Sequence, residues 1–156
     1  IPRALIVSGR GLANEKMLEC GIESLNWLIT VQTSSRGYFQ PVGTDKIFER
    51  GSSKPVFDQQ PIEAYSTVSA CLEAYITTKD KRWYNEAEKA FQWFLGTNDL
   101  GIPLYDPVNG GCYDGLHVDR VNRNQGAEST IAFLLSLYEM TNITNIIETF
   151  KEPILE

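Results

Sequence analysis

Lys79-Asp80-Lys81-Arg82-Trp83-Tyr84, running on to Ala90-Phe91-Gln92-Trp93-Phe94, is the stretch whose reading settles the architecture. Sixty-six residues earlier the chain reads Ala13-Asn14-Glu15-Lys16-Met17-Leu18, running on to Ser24-Leu25-Asn26-Trp27-Leu28. In that register Trp27 falls on Trp93, Gly21 on Ala87 and Leu25 on Phe91. A second echo comes at a shift of 65, where Gln60-Pro61-Ile62-Glu63-Ala64 matches Gln125-Gly126-Ala127-Glu128-Ser129. Two echoes in the same order mark an internal repeat, the sign of stacked supersecondary units.

Each repeat reads as helix, tight turn, helix, long loop. Ile62, Tyr65, Val68, Ser69, Leu72 and Tyr75 recur at three- and four-residue spacing and predict an amphipathic helix over 59–78. Thr78-Lys79-Asp80 turns the chain into a return helix over 81–96, with Tyr84, Ala87, Phe91 and Phe94/Leu95 inward and Gly96 as its stop. Residues 2–12 and 14–32 form the same pair one repeat earlier, and 125–140 open a third pair that a short helix at 142–151 completes. No strand pairing is expected. The predicted fold is all-α, a single helical domain over 1–156 with hairpins at about 1–32, 58–97 and 125–151. The loops at 33–57 and 97–124 then fall at one end of the array and converge on one concave surface. That arrangement is half of a six-hairpin α/α toroid.

The 156 residues are 42% hydrophobic and 22% charged, in the range of globular chains with room for one core. Lys+Arg 14 against Asp+Glu 20 gives a net charge of −6, which argues against tracking a nucleic-acid backbone or an anionic membrane surface. No apolar run is long enough to span a bilayer. The chain opens Ile1-Pro2-Arg3-Ala4-Leu5, already in helical periodicity and without a signal sequence, so it is expected to be a piece of a longer polypeptide. Cys20, Cys71 and Cys112 are odd in number and lack metal spacing, which favours a reducing, cytoplasmic setting. Cys20 and Cys71 read as core residues, as do the matched Trp27 and Trp93. The Asn142-Ile143-Thr144 sequon reads as chance.

Chemistry-bearing residues crowd where the loops meet the next hairpin. Asp58, Gln59, Gln60 and Glu63 stand before and in the second pair; Asn124, Gln125 and Glu128 stand before and in the third. Asp58 and Asn124 are equally candidates for helix caps, and Asn122 with Gln125 has the capping-box spacing. Tyr105-Asp106-Pro107-Val108-Asn109-Gly110-Gly111-Cys112-Tyr113-Asp114-Gly115-Leu116-His117-Val118-Asp119 adds three carboxylates, two tyrosines and the single histidine. Carboxylates and amides reach sugar hydroxyls while an aromatic face covers the apolar face of the ring, and this set supplies both. Its Asp-Pro, Asn-Gly-Gly and Asp-Gly steps are also ordinary turn chemistry. One histidine builds no histidine-rich metal centre, and no nucleophile elbow or phosphate loop is present, so neither a metal nor a cofactor is expected.

Phe57-Asp58-Gln59-Gln60-Pro61-Ile62-Glu63-Ala64, Leu104-Tyr105-Asp106-Pro107, Gly110-Gly111-Cys112-Tyr113-Asp114-Gly115-Leu116-His117 and Asn124-Gln125-Gly126-Ala127-Glu128-Ser129-Thr130 resemble the helical C-terminal module of certain bacterial glycosyltransferases. In such proteins a nucleotide-sugar transferase domain precedes an α/α toroid similar to six-hairpin glycosidases. The resemblance implies the last part of that toroid, with carbohydrate and the remainder of the parent chain as partners. It assigns no reaction, because this fold hosts many chemistries.

Three functions follow as expectations. The first is a glycan-binding or glycan-positioning module, held through Gln59, Gln60, Tyr105, Asp106, Tyr113, His117, Asn124 and Gln125. The second is a glycoside hydrolase or lyase with an acid pair drawn from Asp58, Glu63, Asp114 and Glu128, which would have to flank the scissile bond. The third is a non-catalytic scaffold for protein partners, which calls for an exposed apolar patch on the concave face.

Overall fold

Apolar spacing and local capping together set five helices among the described residues, which in this computed structural model are 1–149, with side chains through 144. They are α1 (Pro2–Gly11), α2 (Glu15–Val31), α3 (Pro61–Thr78), α4 (Lys81–Phe94) and α5 (Ala127–Thr149). The starts of α2 and α4 are 66 residues apart, as the first echo requires, and those of α3 and α5 are also 66 apart, one more than the shift of 65 in the second echo. Asn14 begins α2 by accepting from Met17 N at 3.1 Å, and Asp80 begins α4 by accepting from Arg82 N at 2.9 Å. Pro61 sits in the first turn of α3, where no N–H is needed. Lys79, at φ 62°, closes α3 in the left-handed conformation, so two residues, Lys79 and Asp80, turn the chain back into α4.

α1, α3 and α5 lie side by side and parallel. Arg10 Nη1 donates to Thr77 Oγ1 at 3.2 Å, and Ser69 Oγ donates to Glu139 Oε1 at 3.1 Å, both between residues at similar heights. α2 packs antiparallel on α1, and α4 on α3; α4 also crosses to α5, where Phe91 and Phe94 meet Phe133. The core runs between the layers: Ile6, Leu25, Val68, Trp83, Ala87, Trp93 and Phe94 are all buried. Central α3 is covered on most sides, which explains why Ala, Cys and Ser occupy so much of it.

Several expectations need correction. α5 does not break near residue 141 to give a separate short helix; it runs unbroken to Thr149, and residues 150–151 of the expected tail lie outside the described part. Thr141 and Thr144 are accommodated within it, their hydroxyls donating to Leu137 O and Met140 O one turn back. Strand pairing does occur: β1 (Gly115–Leu116) and β2 (Val121–Asn122) form a minimal antiparallel ladder, too short to show alternation in sequence. Trp27 is 61% exposed although its repeat partner Trp93 is fully buried. α4 packs against both α3 and α5, whereas among the described residues α2 packs on α1 and only lightly on α3, so the same position differs in burial. Cys20, on the same helix, is exposed for the same reason, and Leu95 faces outward at the end of α4. Among the described residues no helix is long and apolar enough to cross a membrane.

Candidate functional site

Both long loops return to the end of the array where α3 and α5 begin, and they are tied there by backbone pairing. Gln59 N donates to Leu116 O at 3.0 Å and Leu116 N to Gln59 O at 2.9 Å, joining the approach to α3 with the loop before α5. Gly115 is required at this crossing, since a Cβ there would stand 2.4 Å from the Gln59 carbonyl oxygen. Leu104 N donates to Phe94 O, which lays the second loop back over α4. Tyr105 and Cys112 then pair across a turn that holds Asp106 to Gly111.

Beneath this crossing lies a buried polar hub. The Gln59 amide is fully buried: its Oε1 accepts from Trp93 Nε1 at 2.8 Å, and its Nε2 donates to Val56 O at 3.0 Å and to Asp99 Oδ2. Asp99 Oδ1 accepts from Tyr38 Oη and Gln40 Nε2, each at 2.7 Å. Burial, with Asp99 alongside, pushes the Tyr38 phenol up. One amide thus links the first loop, the start of α3, the end of α4 and the second loop. Gln59 stands inside the fold as the post on which the loop end rests.

Above the hub three carboxylates face outward with partners. Asp58 Oδ1 lies 2.6 Å from His117 Nδ1, a pair formed across 59 residues, both side chains partly exposed. With Nδ1 turned to the carboxylate, Nε2 is left for a ligand or a proton. Asp114 Oδ1 accepts from Gly126 N at 2.7 Å, and its Oδ2 accepts from Asn124 Nδ2. Burial pushes the Asp114 carboxyl up, but hydrogen bonds from Ser129, Asn124 and Gly126 outweigh it and hold the group below its usual range. Asp106 accepts from Val108 N at 2.9 Å and from Gln125 Nε2 at 3.1 Å, and those bonds hold it low as well. Tyr113 Oη donates weakly to the same carboxylate at 3.5 Å.

Asp114 therefore caps α5 from twelve residues upstream. Gln125 donates to Asp106 rather than closing a box with Asn122, whose Oδ1 accepts from Asn124 N. Asp58 caps nothing at α3, where Gln60 is the N-cap and offers no side-chain bond. Tyr105 stacks on Phe133 with centroids 4.5 Å apart, so its ring joins the core. Glu128 stands exposed in the first turn of α5.

Glu63, in the first turn of α3, is electrostatically distinct. Burial pushes its carboxyl up to about 7 against the opposing pull of Lys54 and the Val42 amide, and its Oε2 is buried without a hydrogen-bond donor. Lys54 donates to Gln40 O at 2.9 Å, and burial lowers its own pKa. Cys112 is buried, and burial, aided by Asp114, pushes its thiol up to about 12. Among the described residues no group of three or more His, Cys, Asp or Glu could hold a metal ion.

The sequence reading passed over Asp99, Tyr38, Gln40 and Lys54. The first three meet Gln59 or one another across 40 to 61 residues, and no local pattern marks such contacts. Compared with models of known protein families and with curated proteins, the chain matches none.

Proposed function

We propose that this chain is a carbohydrate-associated helical module, three hairpins of an α/α toroid that bind or position a glycan at the loop end, as part of a glycosyltransferase-like protein. The observation that carries this reading is the Asp58–His117 pair. It brings loops from two repeats to one rim, beside outward-facing carboxylates and amides at Asp106, Asp114, Asn124 and Gln125. Carboxylates held ionised by amide donors are good acceptors for sugar hydroxyls. The half-ring rests on two further observations. α5 exposes Ile131, Leu134, Leu135 and Tyr138, while Leu12 and Trp27 are exposed on the first hairpin. Large apolar side chains exposed together mark a face that calls for cover, and neighbouring hairpins of the parent chain would cover these faces. Three unpaired thiols suit a reducing, cytoplasmic compartment.

A hydrolase is the second reading, favoured by Glu63 alone: a carboxyl held up to about 7 can be protonated near neutral pH, as a general acid must be, while Asp114 stays ionised. Turnover and binding separate the two. In the binding reading, the Glu63→Gln and Glu128→Gln variants keep glycan affinity and the wild-type protein releases no reducing sugar from polysaccharide. Reducing-sugar release that Glu63→Gln abolishes would replace the first reading with the second.

A further inference from the structure

The first loop carries a strap whose two legs close over one buried acid. Gly43 N donates to Pro55 O at 2.8 Å, and Thr44 N to Asp58 O and Asp45 N to Phe57 O, each at 3.0 Å, so residues 43–45 run back beside 55–58. The legs touch closely: a Cβ on Gly43 would run into the Phe57 backbone. Between the legs, residues 44–53 are exposed apart from Phe48, and Ile47 is 85% exposed. A few backbone bonds with so little buried apolar surface around them make a segment that opens without the rest of the fold.

Glu63 lies where the legs meet α3. Its carboxylate takes the Val42 amide from one leg, and Lys54 pulls on its charge from the other. Lys54 donates to Gln40 O at 2.9 Å rather than to a carboxylate, and Glu63 Oε2 is left buried with no donor. The other charged and titratable groups around this contact are Asp99, which accepts from Gln40 and acts on Lys54, and Tyr38, which donates to Asp99. A carboxylic acid suits such a place and a carboxylate does not, because ionisation sets a charge with one bare oxygen beneath the strap. Burial holds the carboxyl up at about 7, so the closed strap keeps a proton that the open strap, with Glu63 in water, gives up above about pH 4.3.

We infer that residues 41–57 form a pH-sensitive latch, closed while Glu63 carries its proton and released when it ionises. Thr44 and Asp45 hold the backbone of Asp58 and Phe57, and Asp58 is the residue that meets His117, so release of the latch loosens the rim. Closure is fully favoured below about pH 4.3, and that advantage fades as pH rises through about 7. The latch itself stands without any ligand; that it regulates glycan binding rests on the reading above.

Amide hydrogen exchange of the ligand-free protein, corrected for intrinsic exchange rates, tests the latch with no sugar present, so its failure is distinct from a failure of glycan binding. One proton lost on opening is worth about a factor of ten per pH unit, so protection of the Gly43, Thr44 and Asp45 amides should fall at least tenfold between pH 5 and 7. That protection should not respond to urea below the unfolding transition, as befits a local opening. Glu63→Gln, which cannot ionise, should level the protection across the same range with the far-UV spectrum unchanged. Wild-type protection that varies by less than about threefold would overturn the latch. So would a fall that persists in Glu63→Gln, which would belong to the Asp58–His117 pair, or one that follows urea as the core amides do, which would be global unfolding.

Discussion

Replacing Gln59 with Leu tests whether one buried amide holds the loop end together. The two side chains are similar in volume, so the change removes hydrogen bonds with little cavity. Trp93 Nε1, fully buried, loses its acceptor, and Val56 O loses a donor; Asp99 keeps Tyr38 and Gln40 and is only half-buried. A buried donor left unsatisfied costs about 1–3 kcal/mol. With a smaller loss at Val56 O and Asp99, Gln59→Leu should cost about 2–4 kcal/mol. Trp93→Phe removes the donor and leaves Gln59 Oε1 bare, so the two changes must couple. In a double-mutant cycle the pair should cost less than the sum by about 1–2 kcal/mol. Urea unfolding followed by circular dichroism at 222 nm measures all four proteins without relying on the indole. A loss below about 0.5 kcal/mol for Gln59→Leu, or strict additivity in the cycle, would refute the hub.

Asp114→Ala should cost about 1–2 kcal/mol by uncapping α5, read as a lower urea midpoint with early loss of Gly126 amide protection. Because the folded-state pKa of Asp114 lies below its unfolded value, its contribution is present above about pH 4 and fades as pH falls through the folded pKa; Asp114→Asn should flatten that part of the stability–pH profile. Glu63 has the opposite sign. Its pKa is raised to about 7, so the folded state holds a proton the unfolded chain has lost, and stability falls as pH rises from about 4.3 towards 7. Glu63→Gln should remove that slope and raise the urea midpoint at pH 8; an unchanged slope would place the carboxyl in water. His117→Ala should cost no more than about 1 kcal/mol, since the pair is half-exposed. Long-range 1H–15N spectra of the wild-type protein should show Nδ1 protonated, and an Nδ1 without its proton would contradict the Asp58 contact.

The helices were legible in sequence because their cause is local. Three- and four-residue spacing, Pro61 in a first turn and Lys79-Asp80 at a reversal fix α3 and α4 to within a few residues of the expected bounds. The matched starts of α2 and α4 show why a repeat is informative even where side chains diverge. What local pattern cannot carry is the neighbour. Trp27 and Trp93 share a register position, yet only the second is covered.

The loop end was legible as a collection and illegible as a geometry. Asp58, Asp106, Asp114, His117, Asn124 and Gln125 were all singled out, and the structure brings them into pairs. Which acid meets which donor depends on contacts across 10 to 59 residues, and turn chemistry does not encode them. On sequence Gln59 is expected to hold the glycan, because it sits among polar residues at the start of the second hairpin. Its burial follows from the crossing of two loops over Trp93, which only the folded chain reveals.

The claim that the loop end receives a glycan is tested most directly by amide NMR during titration with neutral and acidic sugars. The signals to follow are the backbone N–H groups of Gly110, Gly111, Gly115 and Gly126, which sit among the paired carboxylates. Saturable shifts at these amides, while those at the start of α2 stay fixed, are the predicted result. A folded protein whose loop amides do not respond to any sugar in the panel would contradict it.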